Sequence, residues 1–353
     1  MCYGISIYLS ESDSFIKSWI EKAAENGFQY IFTSLHIPEE KGISFFKKVK
    51  MLGEIAQLSH MDVMADISPA SLERLGLHYK ELPQLKEWGI SGVRMDYGFT
   101  AKQIAWLSSF LKIGLNASTV NEEQLQELLN EGLVPNQAEA WHNFYPKPFT
   151  GISSVQLEER NALFHRYGIK TMAFIPGDAV LRGPLMERLP TIEDHRNKSP
   201  LFSALELKQL GTDKICVGDI RLSDQSLKEI KSLIQQEIPL YAQFGNEYSN
   251  YYNTVHTNRM DAAQYVIRSV ESRGTDFPLE QVRYSEASYH MGTITVDNKL
   301  YGRYAGELQI CLHDLPANEK VNVAGFIQEE SKPLLKFIGG GQKFVFLRKE
   351  FDF

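Results

Sequence analysis

Eight short β-rich runs alternate with helical stretches over the first ~235 residues of this 353-residue chain, and that alternation limits the fold more than any other feature. The runs are Tyr3–Ser10, Tyr30–His36, Met61–Ser68, Gly92–Tyr97, Lys112–Ser118, Asn136–Asn143, Lys170–Ile175 and Lys214–Asp219. Between them lie helical patterns at Phe15–Glu25, Ile43–Ser59, Ala101–Leu111, Glu122–Glu131, Leu157–Tyr167, Pro200–Leu210 and Leu227–Gln235. Asn121 opens the fourth of these as an N-cap, with Gln124 reaching back from the third helical position. Strands separated by helices pair in parallel, because each crossover returns the chain to the same end of the sheet. Eight such units fit a closed (β/α)₈ TIM barrel. The rival, a doubly wound open sheet, lacks its Gly-rich first turn.

Strand parity points to a site. Side chains alternate between the two faces of a strand. One face groups Ser6 with Tyr8, Phe32 with Ser34 and His36, Arg94 with Asp96, Asn116 with Ser118, and Glu139 with Trp141 and Asn143; Asp66 stands likewise opposite Val63, Ala65 and Ile67. The other face is apolar and suits packing against outer helices. The polar face lies towards the carboxyl end of each strand, where a barrel opens into its active site. A single polar strand end is most simply a cap, but six strands repeating the pattern are a site.

The pattern changes after about residue 237. Residues 238–353 hold one helical stretch, Arg259–Val270, and extended runs at Gly292–Val296, Gly306–His313, Val321–Gln328, Leu334–Phe337 and Lys343–Leu347, with a hairpin turn expected at Asp297-Asn298. We therefore expect a barrel domain over 1–237 and a small antiparallel β-barrel or sandwich over 238–353. Gly339-Gly340-Gly341 lacks a following Lys-Ser/Thr, so it is a turn and not a phosphate loop.

Composition removes several function classes. The net charge of −7 gives no basic footprint for nucleic acid. Cys2, Cys216 and Cys311 are far apart and odd in number, which fits a reducing compartment. No secretory leader precedes the first strand and no apolar run approaches the ~20 residues of a membrane helix, so a cytoplasmic enzyme is expected. The nine histidines show no HxH or HExxH spacing, and no GxSxG, Walker or GxGxxG motif appears. No lysine ends the inward face of the first strand, as a pyridoxal Schiff base would need. No metal or cofactor is expected.

Five carboxylates fall at expected strand ends: Asp66, Asp96, Glu139, Asp178 and Asp219. Glycosidic hydrolysis commonly uses two carboxyl groups, one to protonate the leaving oxygen and one as nucleophile or base. Asp66 and Asp96 would stand on adjacent strands, Asp96 and Glu139 two strands apart, and either spacing suits such a pair. Asp96 with Glu139 is the leading pair, with Asp66 in reserve. Arg94 shares the face of Asp96 and could hold it ionised or bind an anion. Trp141, His142, Asn143, Tyr145 and Lys147 crowd one stretch with flat rings and hydrogen-bonding groups suited to a sugar. Arg182, in the loop after the seventh strand, lies where barrels commonly bind phosphate. Two other classes stay open: a sugar-phosphate isomerase or aldolase, and a non-catalytic phosphosugar-binding regulator.

The segments Gly4–Leu9, Arg94–Phe99, Asn116–Thr119, Trp141–Pro146, Phe174–Asp178, Arg182–Leu185 and Tyr301–Leu308 resemble those of the 6-phospho-N-acetylmuramidases, a bacterial glycoside hydrolase family, and the likeness spans essentially the whole chain. It implies a barrel followed by a cyclophilin-like β domain. It also implies hydrolysis of a phosphorylated muramyl-glucosamine disaccharide during cell-wall recycling. Lys147 stands where the family is expected to prefer Arg, keeping the charge but losing a bidentate fork. The substrate's phosphate and lactyl carboxylate call for basic groups, which Arg94, Arg182 and Lys147 would supply; its acetamido group could itself assist the reaction. The β domain could lean over a barrel mouth, its own or that of a partner in a homodimer, with Arg303 or Glu307 reaching in.

Overall fold

In a computed structural model, which describes residues 1–35, 43–95, 97–272, 280–281 and 287–349, the eight runs pair in parallel and in chain order into a closed barrel. Its strands are β1 (Cys2–Ser6), β2 (Tyr30–Ser34), β3 (Asp62–Ile67), β4 (Gly92–Met95), β5 (Lys112–Asn116), β6 (Ala138–Trp141), β7 (Lys170–Ile175) and β8 (Lys214–Val217). The β1–β8 pairing, with Cys2 beside Lys214, closes the ring. Around it lie α1 (Asp13–Glu25), α2 (Ile43–Leu58), α3 (Pro69–Leu75), α4 (Ala101–Ser108), α5 (Glu122–Asn130), α6 (Ser154–His165), α7 (Pro200–Gln209) and α8 (Asp224–Ile234).

Local chemistry starts most of these helices. Ser12, Ser68, Thr100, Asn121, Ser153 and Ser199 each accept a first-turn amide at the N-cap of α1, α3, α4, α5, α6 and α7. The expected Asn121–Gln124 capping box is present. The crossover between β3 and β4 holds two elements that periodicity does not reveal, the seven-residue α3 and a 3-10 helix over Tyr79–Trp88 with Pro83 inside it. Both are too short or too irregular to repeat an apolar stripe.

Contacts divide the chain into two compact units, Met1–Lys231 and Ser232–Phe353. The second unit holds β9 (Glu237–Phe244), β10 (Val255–Thr257), β11 (Val266–Arg268), β12 (Ser288–Tyr289), β13 (Thr293–Asp297), β14 (Leu308–Cys311), β15 (Leu315–Pro316), β16 (Val321–Ile327) and β17 (Lys343–Leu347). Seven of these form a sheet in the order β10-β17-β9-β16-β13-β14-β11, antiparallel except for the parallel β9–β17 pair. An isolated bridge between Asn258 and Ser269 brings its two edges together, so the sheet is a nearly closed barrel.

Four expectations change here. Arg259–Val270 is not a helix: Val266 and Ile267 belong to β11, which pairs with β14, so strand pairing overrides the helical pattern. Leu334–Phe337 forms a 3-10 helix started by Pro333. Asp297-Asn298 is no tight hairpin, because Asn298 caps a 3-10 helix over Lys299–Tyr304 before the chain returns as β14. Glu307 does not reach outwards: it is 2% exposed and holds Arg268 within the unit, at 2.6 Å from Nε. Arg303 stacks on the neighbouring Tyr304 ring.

Candidate active site

Inside the barrel, parity holds, and depth separates residues that parity had grouped. Tyr30, Phe32, Met64, Trp141, Met172, Phe174 and Cys216 come from five strands and meet as one buried cluster. Trp141 is 1% exposed and packs against Tyr30 and Phe32. It is part of the barrel's filling and offers no face to a sugar.

Glu139 lies towards the amino end of the barrel. It is the second residue of β6, and its Oε1 accepts from Nζ of Lys214, the first residue of β8, at 2.6 Å. Its Oε2 accepts from Trp141 Nε1 at 2.9 Å. Lys112 and Asp62, first residues of β5 and β3, form a second ion pair at 2.6 Å. Strand depth therefore removes Glu139 from the leading catalytic pair: it neutralises Lys214 at the amino face, which in barrels serves stability. Glu139→Gln is expected to lower the midpoint of thermal unfolding by several degrees, on the order of 1–3 kcal/mol, while kcat stays within about threefold of wild type. A kcat loss beyond 100-fold would return Glu139 to the chemistry.

Near the carboxyl ends a polar network forms. Asp66 and Arg94 are 8% and 4% exposed, and Arg94 Nη1 donates to Asp66 Oδ1 at 2.9 Å. Arg94 Nη2 donates to Asn143 Oδ1. Asn143 N donates to Ser118 Oγ at 3.0 Å, and Thr191 Oγ1 donates to Asn143 O at 2.9 Å. Asn116, buried at the end of β5, accepts from Ser118 N. Asp66, Arg94, Asn116 and Asn143 are therefore linked, directly or through Ser118. Asp96 and His36 lie outside the described residues.

The loops after β7 and β8 place two expected ligand groups in structural roles. Asp219 accepts three backbone N–H groups, from Gly177 at 2.8 Å, Leu189 at 3.0 Å and Arg182 at 3.1 Å. Gly177 is required beside it, since a Cβ there would lie 2.6 Å from Asp219 Cβ. Asp178 accepts from Ser223 N, Ser223 Oγ and Ser226 Oγ at the start of α8. Both carboxylates are taken up by the loops, and neither is directed to a ligand. The amides that could have cradled a phosphate are already spent on Asp219.

Arg182 differs. Its guanidinium lies 4.4 Å from the Tyr8 ring centroid and 5.6 Å from that of Phe144, and no carboxylate pairs with it among the described residues. Tyr8 is fixed in turn by its hydroxyl, which donates to Gly218 O. Phe144 stands edge-on to Phe32 and Phe174 at the top of the core cluster. The result is a cation held by ring faces, with its donors open to an anion.

His142 faces away from this mouth. It is fully buried between β6 and α6, with Nε2 donating to Asn161 Oδ1 at 3.0 Å. Burial is the main force that pushes its pKa from 6.5 down to about 4. As pH falls below 6.5 the unfolded chain takes up this proton first, so the contribution to stability is full above 6.5 and disappears towards pH 4. Urea titrations should show about 3 kcal/mol of acid destabilisation from this group, and His142→Gln should flatten the profile. An unchanged profile would refute the assignment.

Tyr145 and Lys147 are positioned through their backbones. Arg196, which the sequence did not single out, donates to both carbonyls, to those of Glu187 and Arg188, and to the Glu193 carboxylate. Chiefly its hydrogen bonds with Arg196 lower the Glu193 pKa to about 2. The pair clasps the loops after β6 and β7. Lys147 is exposed. Tyr8 and Phe144 stand beside polar positions that the sequence picked out, whereas Arg196, far from any strand end, carries no such signal.

A closed (β/α)₈ barrel with a charged and amide-lined carboxyl rim has the layout of a barrel enzyme. Residues 3–232 match the family model of the 6-phospho-N-acetylmuramidase N-terminal domain and residues 234–347 that of the C-terminal domain. The chain belongs to the 6-phospho-N-acetylmuramidase family, a glycosidase family by its name. A conserved Enterococcus faecalis protein of unknown function is similar in structure, at 36% identity and TM-score 0.85, over 99% of this chain and 97% of that one. An uncharacterised B. cereus protein is similar at 28% identity and TM-score 0.79, over 98% and 99%. No curated protein matches. Among the described residues no helix is long and apolar enough to cross a membrane.

Proposed function

We infer that this protein hydrolyses 6-phospho-N-acetylmuramyl-N-acetylglucosamine, releasing N-acetylmuramic acid 6-phosphate and N-acetylglucosamine in cytoplasmic cell-wall recycling. The observation that carries this beyond the family name is Arg182, a guanidinium without a carboxylate partner among the described residues, set on two aromatic rings by the loop where barrels bind phosphate. Such a group takes a dianionic phosphate bidentately.

In this reading Arg182 anchors the phosphosugar and Asn143 orients its ring. Asp66, charge-compensated by Arg94, faces the positive charge that develops at the anomeric carbon. A carboxylate engaged by a guanidinium is a poor proton donor. The acid role therefore falls to Asp96, as the alternation of the fourth strand proposes. It protonates the glycosidic oxygen as the carbon–oxygen bond breaks, and water supplies the hydroxyl of the new reducing end. The test is to incubate the purified protein with the phosphorylated and unphosphorylated disaccharides and follow N-acetylglucosamine release. Equal turnover of both removes phosphate recognition, and proton exchange without sugar release would favour an isomerase.

A further inference from the structure

Arg196 is 6% exposed, and every nitrogen of its guanidinium is engaged. Nε donates to Glu193 Oε1 at 2.7 Å and Nη2 to Glu193 Oε2 at 2.8 Å, so a bidentate fork matches the charge. The remaining donors go to main chain on two different loops. Nη2 also reaches the carbonyl of Tyr145 at 2.9 Å and, more weakly, that of Lys147 at 3.4 Å, in the loop after β6. Nη1 reaches those of Glu187 at 2.7 Å and Arg188 at 2.9 Å, in the loop that carries Arg182. Glu193 adds the amides of Phe149 and Gly151 on the first loop, both at 2.8 Å. Neutralising the charge needs only the carboxylate. Four carbonyls drawn from two loops make a tie.

Both tied loops hold strained backbone. Phe149 (φ +67°), Met186 (φ +57°) and Arg188 (φ +61°) are non-glycine residues in the left-handed region, which persists only where the surroundings over-determine it. Burial of side chains does not offset this, since Phe149 is 93% exposed and Met186 53%. The same loops carry the two ends of the site. Two residues before Tyr145, Asn143 accepts from Arg94 of the Asp66 pair, and between them the Phe144 ring lies by the Arg182 guanidinium. At the other end, Asp219 accepts the amides of Arg182 and Leu189, which flank Glu187 and Arg188.

We propose that Arg196 is a positioning residue, which fixes the anion-binding Arg182 against the end of the site formed by Asn143, Arg94 and Asp66. A substrate anchored by its phosphate then lies at a set distance from the group that acts on its glycosidic bond. The assignment rests on the hydrolase reading above. Arg196 touches no substrate and acts through the two loops. Misplacing an anchored substrate by 1 Å can cost about 10²-fold in rate. Without Arg196, Asn143 keeps Ser118 and Thr191, and Arg182 keeps its two rings, so a smaller loss is expected.

Arg196→Lys and Arg196→Ala test the proposal. The lysine keeps a charge beside Glu193 but brings three donors and no planar fork. Its kcat on the phosphorylated disaccharide is expected to fall on the order of tenfold, with KM within about threefold of wild type. Turnover of the unphosphorylated disaccharide, which Arg182 does not anchor, should fall less than about twofold. In Arg196→Ala the loss on the phosphorylated substrate deepens to about 30-fold, and added millimolar guanidinium restores part of it by filling the vacated space. A merely stabilising arginine would lower the unfolding midpoint and leave kcat per folded molecule unchanged. That result, or equal losses on both substrates, overturns the proposal. Hydrogen exchange reads the tie without turnover: in Arg196→Lys, peptides spanning 143–151 and 182–189 should lose protection together. Full protection retained in either loop also overturns it. If the wild type cleaves neither disaccharide the hydrolase reading fails, and the exchange comparison still decides whether Arg196 joins the loops.

Discussion

On the proposed hydrolase reading, Arg182→Ala is expected to lower kcat/KM for the phosphorylated disaccharide by about 10²-fold and to change turnover of the unphosphorylated one by less than about threefold. The size follows from hydrogen bonding. A charged bidentate contact is worth about 3 kcal/mol net, and each 1.4 kcal/mol is about tenfold. The guanidinium rests on the Tyr8 and Phe144 rings and has no carboxylate partner among the described residues, so removing it leaves no uncompensated buried charge. Arg182→Lys keeps the charge but loses the planar fork, and should recover only part of the loss. Steady-state kinetics on the two substrates separates the possibilities. Parallel losses on both would make Arg182 a structural part of the mouth.

Asp66→Asn has the largest expected effect on chemistry and also a cost in folding. The substitution removes the charge facing Arg94 Nη1 in a pair whose side chains are 12% and 5% exposed. Removing one member of a buried pair costs about 3 kcal/mol, which shifts the unfolding midpoint on the order of 10 °C for a unit of this size. If Asp66 also faces the developing positive charge, kcat falls a further 10²–10³-fold, roughly the scale of losing one well-placed electrostatic group. Calorimetry and kcat measured well below the midpoint separate the two effects. A folded Asp66→Asn enzyme with near-normal kcat would confine Asp66 to holding Arg94.

The contrast between Asp66 and Glu139 shows what a single sequence conveys. Both were identified by facing the polar side of a strand, and both do point into the barrel. Asp66 is the fifth residue of β3 and lies in the network with Asn143, while Glu139 is the second residue of β6 and lies with Lys214. His142 failed for a related reason: as the neighbour of an inward residue it had to face the helices, and Asn161 receives it there. Asp178 and Asp219 sit in the loops expected to hold phosphate, but satisfy the loops' own amides and hydroxyls. In the second unit, β14 drew Val266 and Ile267 into a strand against their local helical pattern.

From the sequence alone come the strand–helix alternation, the eightfold count, the Asn121 cap and the face on which the described strand side chains lie. All of these depend on residues close together in the chain, through the period of two in a strand and the hydrogen-bonding needs of a helix end. Depth inside the barrel and the choice of partner for each charge were decided only by tertiary structure. The stagger of a closed ring is a property of all eight strands at once. It sets which side chains meet across the interior, and so which carboxylate holds a lysine at the amino face and which stands with a buried arginine near the rim.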